Sequence, residues 1–314
     1  MKQYNNIAFT FPGQGSQSLG MLSELAESHS EIKETFRTAS EVLGLDLWQM
    51  HSNGSPEIIN QTENTQPLML SAGVAVWRVW CKISPIRPGW MAGHSLGEFT
   101  ALVCANSLTF EDAIAMVRER ARLMQQAVPE GAGAMAAIIG LEDPQVVAIC
   151  REVGENGIVA PVNFNAPGQI VIAGEVDAVN QAIDAAKQAG ARRAVILPVS
   201  VPSHCVLMQS AAEEFSSYIE NIKVESPEVP VIHNVDVASH AAADVIRHVL
   251  AKQMYNPVRW SDGVKFMNEQ GVSAFVECGP GKILSGLNKR IVKGCDVLPV
   301  NNNKTLATAV EFIQ

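Results

Sequence analysis

A serine flanked by glycines is the first feature of this sequence that could perform chemistry. Gly93-His94-Ser95-Leu96-Gly97 fits the G-x-S-x-G pattern, in which a nucleophilic serine projects from a sharp strand-to-helix turn and the glycines relieve crowding. A serine at a helix N-terminus also lies near backbone N–H donors that stabilise a developing oxyanion. We therefore predict that Ser95 is a nucleophile. The alternative is that the pattern forms only a turn.

A nucleophilic serine needs a general base, and histidine is the usual residue for this role. Four of the seven histidines lie in polar stretches and are expected to be solvated: His29, His51, His240 and His248. His94 is expected to point away from Ser95, which leaves His204 and His233. His204 follows a predicted strand at a junction between subdomains, where clefts and movable loops are found. A structural role is the alternative for any single histidine.

An arginine on a predicted helix is a second candidate. In the helix Glu111 to Ala127, Arg120 falls on the apolar face, whereas the neighbouring Arg118 and Arg122 fall on the polar face. A buried arginine needs an anionic partner. That partner is either a carboxylate of the protein or the carboxylate of a substrate, for which the guanidinium fork is well shaped.

The loop Gly13-Gln14-Gly15 follows the first predicted strand, Ile7 to Phe11. It lacks the lysine and hydroxyl residue of a P-loop and the third glycine of the dinucleotide fingerprint. We therefore expect its backbone N–H groups to complete an oxyanion hole rather than to bind a nucleotide.

Strand-turn-helix units position these residues. One unit starts at Ile7, with its helix from about Leu19, and a second runs from Trp90 through the serine turn into a helix at Leu96 to Cys104. A later run has the order βαββαβ, which is typical of a ferredoxin-like subdomain. Its elements are predicted at residues 134–140, 144–153, 159–165, 169–173, 176–189 and 194–199.

The chain then returns to α/β order, with helices at 208–222 and 242–253 and strands at 229–234 and 274–278. The predicted fold is an α/β-hydrolase-like core, formed by residues 1–129 and 199–314, with a ferredoxin-like subdomain at 130–198 inserted into it. Pro129 to Gly133 and Pro198 to Pro202 are the predicted hinges.

Composition limits the classes of function. The chain has 314 residues, 47% of them hydrophobic, and a net charge of −9, which is enough for a sizeable core and argues against nucleic-acid binding. The six cysteines show no zinc-ligand spacing and are interpreted as reduced thiols. No signal peptide and no apolar run of membrane-spanning length is evident. We expect a cytoplasmic protein without a metal or redox cofactor and without membrane contact.

Several motifs together resemble malonyl-CoA:acyl carrier protein transacylases. They occur in order over nearly the whole chain, starting with the Phe11-Pro12-Gly13-Gln14-Gly15-Ser16-Gln17 loop. The others are Gly93 to Glu98, Arg120, Gly133-Ala134-Met135, Asn163-Phe164-Asn165, Val201-Pro202-Ser203-His204 and Gly279-Pro280-Gly281.

The resemblance implies a ping-pong transfer in which Ser95 accepts malonyl from malonyl-CoA and delivers it to the phosphopantetheine thiol of acyl carrier protein. It implies that His204 is the base, that the backbone N–H groups of Gln14 and Leu96 form the oxyanion hole, and that Arg120 pairs with the malonyl carboxylate. It further assigns substrate-binding positions to Gln14, Met135, Asn163 and Asn165.

The backbone carbonyl of Gln253 orients His204 in this interpretation, in place of the usual carboxylate. Without a carboxylate to stabilise the imidazolium, water should attack the malonyl-enzyme slowly. Replacing Gln253 with glutamate is therefore expected to speed hydrolysis.

Three rival functions share part of this pattern. A discrete acyltransferase of a polyketide pathway would carry every motif and differ only in its carrier protein. A serine thioesterase or esterase would share the serine turn but is disfavoured by the missing acid and by Arg120. A catalytically silent binder of carrier proteins would lack Ser95 or His204.

The surface that meets the carrier protein is predicted to be basic, because such carriers are acidic. Candidate residues are Lys282, Lys289, Arg290, Arg192 and Arg193, each of which is equally compatible with an ordinary solvated charge. We expect the protein to be a monomer.

Overall fold

Two β-sheets of different type organise the fold. The computed structural model describes residues 3–199 and 201–313. The larger sheet is parallel in the order β7-β2-β1-β8-β9. Its strands are β1 (Gln3–Phe11), β2 (Arg87–Gly93), β7 (Val231–Ile232), β8 (Ala274–Cys278) and β9 (Asp296–Val300). Crossover connections make such a sheet buried on both faces.

The helices around the larger sheet are of two groups. Before the serine turn lie α1 (Ser23–Ser28), α2 (Ser30–Leu43), α3 (Leu47–Asn53), α4 (Pro56–Asn60) and α5 (Thr62–Ile83). After it lie α6 (Gly97–Cys104), α7 (Phe110–Ala127), α10 (Gln209–Ile219), α11 (Ala243–Gln253), α12 (Trp260–Glu269), α13 (Ile283–Ile291) and α14 (Asn303–Ile313). A 3₁₀ turn at Val206–Met208 precedes α10.

The smaller sheet is antiparallel, in the order β4-β5-β3-β6. Its elements are β3 (Gly133–Ile139), α8 (Asp143–Val153), β4 (Val159–Ala166), β5 (Gln169–Glu175), α9 (Val176–Gln188) and β6 (Arg193–Ile196). The predicted βαββαβ order of elements is confirmed. A separate apolar cluster, which includes Ile138, Ile170, Ile172 and Val179, fills the space between this sheet and its two helices.

Backbone hydrogen bonds join the smaller sheet to the rest of the protein. Phe164 N donates to Val258 O at 3.0 Å, and Val258 N donates to Val162 O at 2.8 Å. These bonds continue β4 into the segment before α12, so the two parts of the fold share a backbone ladder as well as their chain connections. The predicted hinge Pro198 to Pro202 includes Ser200, which lies outside the described residues.

Several predicted boundaries were wrong. The first helix begins at Ser23 rather than near Leu19, because Gly20 and Leu22 have positive φ angles of 70° and 63° that a right-handed helix excludes. The strand predicted at 229–234 has only two paired residues. The strand predicted to reach Val199 ends at Ile196, and the helix predicted to reach Ile222 ends at Ile219.

Candidate active site

Three adjacent strands end at one edge of the larger sheet and bring the site together. The loop with Gln14 follows β1, Ser95 follows β2, and Asn234 follows β7. The carboxyl ends of parallel strands lie at the same edge, which is where α/β sheets bind ligands. Residues that are far apart in the sequence thus become neighbours.

The turn at Ser95 is strained and tightly packed. Ser95 has a φ angle of +52°, a conformation that costs a non-glycine residue free energy and often occurs at functional sites. The flanking glycines are sterically required, since a Cβ at Gly93 would lie 1.8 Å from the Gly97 carbonyl carbon and one at Gly97 would lie 2.1 Å from Phe11 O. Asn234 holds the turn, accepting from Ser95 N at 2.7 Å and donating to Gly93 O at 2.7 Å.

Ser95 and His204 form a hydrogen-bonded pair. The serine Oγ lies 2.7 Å from His204 Nε2, and His204 Nδ1 lies 2.7 Å from the backbone carbonyl of Gln253. A carbonyl oxygen only accepts, so Nδ1 carries the proton and Nε2 is free to accept from the serine hydroxyl. This is the geometry that a serine nucleophile and its base require.

The imidazole of His204 is held in its neutral form. Burial, followed by the positive charge of Arg120, lowers the pKa of His204 from 6.5 to about 3. Its side chain is 3% exposed. The ring is therefore unprotonated at neutral pH, which is the state that a general base requires.

Arg120 reaches the same serine from the buried side. Its Nη2 lies 3.3 Å from Ser95 Oγ and 3.0 Å from Gln253 Oε1, and its Nη1 lies 2.9 Å from Gln66 Oε1. Arg120 is fully buried, its Nε has no partner, and it forms no ion pair with a residue that the structure describes. Burial lowers the pKa of Arg120 to about 10, and the charge of Glu98 acts in the opposite direction. Arg120 is therefore a buried cation that no carboxylate of the described residues contacts directly.

The backbone carbonyl and the side-chain amide of Gln253 contact different residues. Its backbone carbonyl faces His204, as the resemblance implied, whereas its side chain faces Arg120, Ser95 O and Glu98. The expectation that glutamate at this position would stabilise the His204 imidazolium is therefore wrong. A carboxylate there would instead contact Arg120.

Two backbone N–H groups near the serine are unused. Among the described residues, Gln14 N and Leu96 N donate to no protein acceptor. The Gln14 loop packs against the turn, as a Cβ at Gly13 would lie 2.4 Å from His94 O. Both donors are thus free to bind a ligand oxygen, and their role in an oxyanion hole stays a prediction.

A cleft of about 120 Å³ opens above Ser95 and His204. Its walls come from both sheets and are lined by Gln14, Thr62, His94, Ser95, Met135, Asn163, Leu197, Val199, Val201, Ser203 and His204. Asn163 presents a buried Oδ1 that has no hydrogen-bond partner among the described residues. Asn165 lies beside the cleft, with its Oδ1 2.8 Å from His94 Nε2.

The remaining histidines lie away from the serine hydroxyl. The prediction that His51 is solvated was wrong, because the ring is fully buried and packs on Phe36 and Trp48. His233, the other candidate base, is bonded through Nδ1 to Glu98 at 2.7 Å. In the part of the chain described here, no cluster of three or more His, Cys, Asp or Glu side chains could hold a metal. No helix among the described residues has the length and apolar character to cross a membrane.

Gln66, Asn234 and the contacts of Glu98 were not predicted from the sequence. Gln66 lies on α5, 54 residues before the arginine that it contacts, and Asn234 lies 139 residues after Ser95. No local pattern could indicate these pairings. Glu98 gave a usable signal, since it is a carboxylate within the apolar helix Gly97–Cys104.

Comparisons with known proteins agree with this geometry. The acyl transferase domain family matches residues 8–308. The malonyl CoA-acyl carrier protein transacylase of Escherichia coli (strain K12) is 50% identical over 98% of this chain and 99% of its own, and that of Bacillus subtilis (strain 168) is 40% identical over 99% and 98%.

Solved structures of transacylases are also similar to this chain. A malonyl-transacylase in complex with its type II polyketide synthase acyl-carrier protein superposes with a TM-score of 0.96 at 51% identity, covering 98% of this chain and 99% of that one. The Coxiella burnetii malonyl CoA-acyl carrier protein transacylase gives 0.96 at 47% identity, covering 98% and 97%. With its fold, its serine–histidine pair and its buried arginine, the chain belongs to the malonyl CoA-acyl carrier protein transacylases of the acyl transferase domain family.

Proposed function

We propose that this protein transfers malonyl from malonyl-CoA to the phosphopantetheine thiol of an acyl carrier protein through a malonyl ester on Ser95. The observation that carries the proposal is the position of the Ser95 hydroxyl. It lies 2.7 Å from a neutral base and 3.3 Å from a buried cation that no carboxylate of the described residues contacts directly. The first group activates an acyl acceptor, and the second selects an acyl group that ends in a carboxylate.

The reaction proceeds in two halves with the same residues. His204 Nε2 takes the hydroxyl proton as Ser95 Oγ attacks the thioester carbonyl, and the oxyanion accepts from Gln14 N and Leu96 N. The C–S bond breaks, the protonated His204 returns the proton to the coenzyme A thiolate, and malonyl-Ser95 remains. The carrier thiol then gives its proton to His204 and attacks the ester carbonyl. The C–O bond to Ser95 breaks, and the protonated His204 returns the proton to Ser95 Oγ, which restores the free enzyme.

Arg120 binds the malonyl carboxylate in this proposal. Because the arginine is fully buried, the carboxylate replaces its 3.3 Å contact with Ser95 Oγ. Met135 and Asn163 on the cleft wall contact the malonyl group, and Asn165 acts on it through His94. The unpartnered Asn163 Oδ1 supports a polar ligand at this wall.

We assign residues 1–129 and 199–314 to an α/β-hydrolase-like core and residues 130–198 to a ferredoxin-like subdomain. The strand order β4-β5-β3-β6, with α8 and α9 as connections, supports the second assignment. The strand-turn-helix unit around Ser95 supports the first. The monomeric state, the cytoplasmic location and the lack of a cofactor stay predictions from the sequence.

The carrier protein docks on a basic surface formed by α13 and the adjoining end of the smaller sheet. Arg192, Arg193, Lys282, Lys289 and Arg290 are all exposed. Arg290 Nη2 donates to Gln169 Oε1 at 2.5 Å, and Arg192 packs over Gly140 at the end of β3. Both contacts bring cations from separate parts of the chain to one end of the smaller sheet, where an acidic carrier would be attracted.

A polyketide carrier is the second candidate acceptor. It is favoured by the similarity to a malonyl-transacylase in complex with a type II polyketide synthase carrier. The chemistry on Ser95 is the same in both cases, so comparing kcat/KM for the two carriers distinguishes them.

Intact-protein mass spectrometry after brief incubation with malonyl-CoA tests the proposed function. The wild type and the Ser203→Ala control, which removes a second serine that lines the cleft, should carry one malonyl group, and Ser95→Ala should carry none. Added holo acyl carrier protein should remove the malonyl group from the enzyme and carry it instead. An adduct that water removes without a carrier would indicate a thioesterase, and the absence of any adduct would contradict malonyl-CoA as substrate.

A further inference from the structure

Glu98 is a buried carboxylate directly below the proposed nucleophile. It is the second residue of α6, three positions after Ser95, and its side chain has no exposed surface. Burying a carboxylate costs free energy unless its oxygens accept hydrogen bonds from the protein. The resemblance included this residue in a motif but gave it no role.

Three donors from two separate segments meet the Glu98 carboxylate. Oε1 lies 2.7 Å from His233 Nδ1, while Oε2 accepts from Asn234 N and from Gln253 Nε2, each at 2.9 Å. These donors belong to the segment after β7 and to the end of α11. The carboxylate therefore joins the two segments to the helix that follows the serine.

Two of the three donors in turn hold residues of the active site. Asn234 accepts from Ser95 N, and the Gln253 amide donates to Ser95 O at 3.0 Å while its Oε1 accepts from Arg120. An amide has a donor end and an acceptor end. Because Glu98 only accepts and Arg120 only donates, the two together fix the amide with its NH₂ group toward Glu98 and its oxygen toward Arg120.

We propose that Glu98 is the positioning residue of this site. Its carboxylate sets the orientation of the Gln253 amide, and thereby of Arg120, and it anchors the residue whose carbonyl holds His204. Through Asn234 it also supports the strained backbone of Ser95. The inference rests on the proposed acyl transfer, since it assigns Glu98 an effect on that reaction without contact with the substrate.

The experiment compares Glu98→Ala with Glu98→Gln. Alanine removes the acceptor, so the Gln253 amide can turn and Arg120 loses its alignment; we expect kcat/KM for malonyl transfer to fall about 100-fold. The preference for malonyl over acetyl should fall as well. Glutamine keeps an oxygen for Asn234 and Gln253 and can donate to His233 Nδ1, so it should restore the rate to within about tenfold of wild type.

Glu277→Ala is the matched control. Glu277 is another buried carboxylate, on strand β8 of the larger sheet. It accepts from Leu284 N at 3.0 Å and from Ser285 N at 2.7 Å, at the start of α13. Its removal should lower the melting temperature without changing the malonyl preference. All variants are assayed at a temperature where circular dichroism shows them folded.

Loss of rate and of malonyl preference in Glu98→Ala alone, with recovery in Glu98→Gln, supports the positioning role. Equal kinetics in Glu98→Ala and Glu277→Ala would overturn it, as would a Glu98→Gln variant as slow as the alanine variant. Failure of the wild type to transfer malonyl at all would instead refute the proposed function, and the inference with it.

Discussion

A neutral carbonyl orients His204, where serine hydrolases commonly use a carboxylate. The Gln253 carbonyl fixes the tautomer and orientation of the ring but supplies no negative charge to stabilise an imidazolium. Arg120 nearby further disfavours the protonated ring. We infer that the enzyme deprotonates a thiol, which is already a moderate acid, more readily than water. The malonyl ester should therefore persist until a carrier arrives.

Arg120→Ala tests the selection of the acyl group. Removing the guanidinium leaves the malonyl carboxylate without a partner in a buried site, so malonyl transfer should fall by at least about 100-fold. Acetyl transfer should fall much less, because acetyl makes no use of the cation. Measuring kcat/KM with malonyl-CoA and acetyl-CoA gives the ratio directly.

Arg122→Ala is the control for this change. Arg122 lies on the same helix and pairs with Glu119 at the surface, so its removal should alter neither rate. Equal loss of malonyl and acetyl transfer in Arg120→Ala would mean that Arg120 supports the fold and does not select the substrate.

At the scale of the element, the turn between β2 and α6 sets the position of the nucleophile. Its glycines let the chain reverse within van der Waals contact of the loop after β1, which carries Gln14. The serine hydroxyl and the second oxyanion donor are thus held at a fixed separation by backbone packing.

Gly97→Ala should therefore destabilise the protein. A Cβ at Gly97 would lie 2.1 Å from Phe11 O and 3.1 Å from Pro12 O, so the backbone must shift, at a cost of about 3 kcal/mol. Urea titration of the free energy of unfolding measures the loss. Gly286→Ala on α13 is the control, since a Cβ there meets no atom within 4 Å and alanine favours a helix. A Gly97→Ala protein as stable as wild type would contradict this account of the turn.

Elements with a regular period could be predicted from the sequence, and those without one could not. The two helices of the smaller sheet are amphipathic and alternate with short, mainly apolar strands, so the order of its elements was predictable. The helix Thr62–Ile83 was not predicted, because its residues from Thr65 to Trp77 are all buried and show no polar face. Arg120 was found as a charge on an apolar face, but Gln66, its partner on that helix, had no comparable signal.

At the scale of the whole molecule, burial of neutral histidines links stability to pH. The pKa values of His51, His94 and His204 are all lowered, chiefly by burial. Below pH 6.5 these histidines bind protons in the unfolded chain but not in the folded chain. Their effect on the free energy of unfolding is therefore absent above pH 6.5, and they lower that free energy as the pH falls. Glu277, whose pKa burial raises, acts in the opposite direction.

The contribution of His204 can be isolated with His204→Gln. The pKa of His204 in the folded protein is about 3. Protonation of this residue in the unfolded chain should therefore lower the free energy of unfolding of the wild type by about 2 kcal/mol as the pH falls from 7 to 5. The variant should lose correspondingly less over that interval in urea titrations. His248→Gln serves as the control because that side chain is exposed. Identical pH dependence in His204→Gln and wild type would contradict the neutral, buried state of this ring.

The backbone ladder through Val162, Phe164 and Val258 has a consequence for the timing of each catalytic cycle. One wall of the cleft belongs to the smaller sheet and the other to the larger, and the ladder ties them near Asn163. We expect the gap between the walls to be set when the chain folds and to stay constant from one turnover to the next. Acyl groups wider than this gap should not bind, and no binding energy should be needed to close a lid.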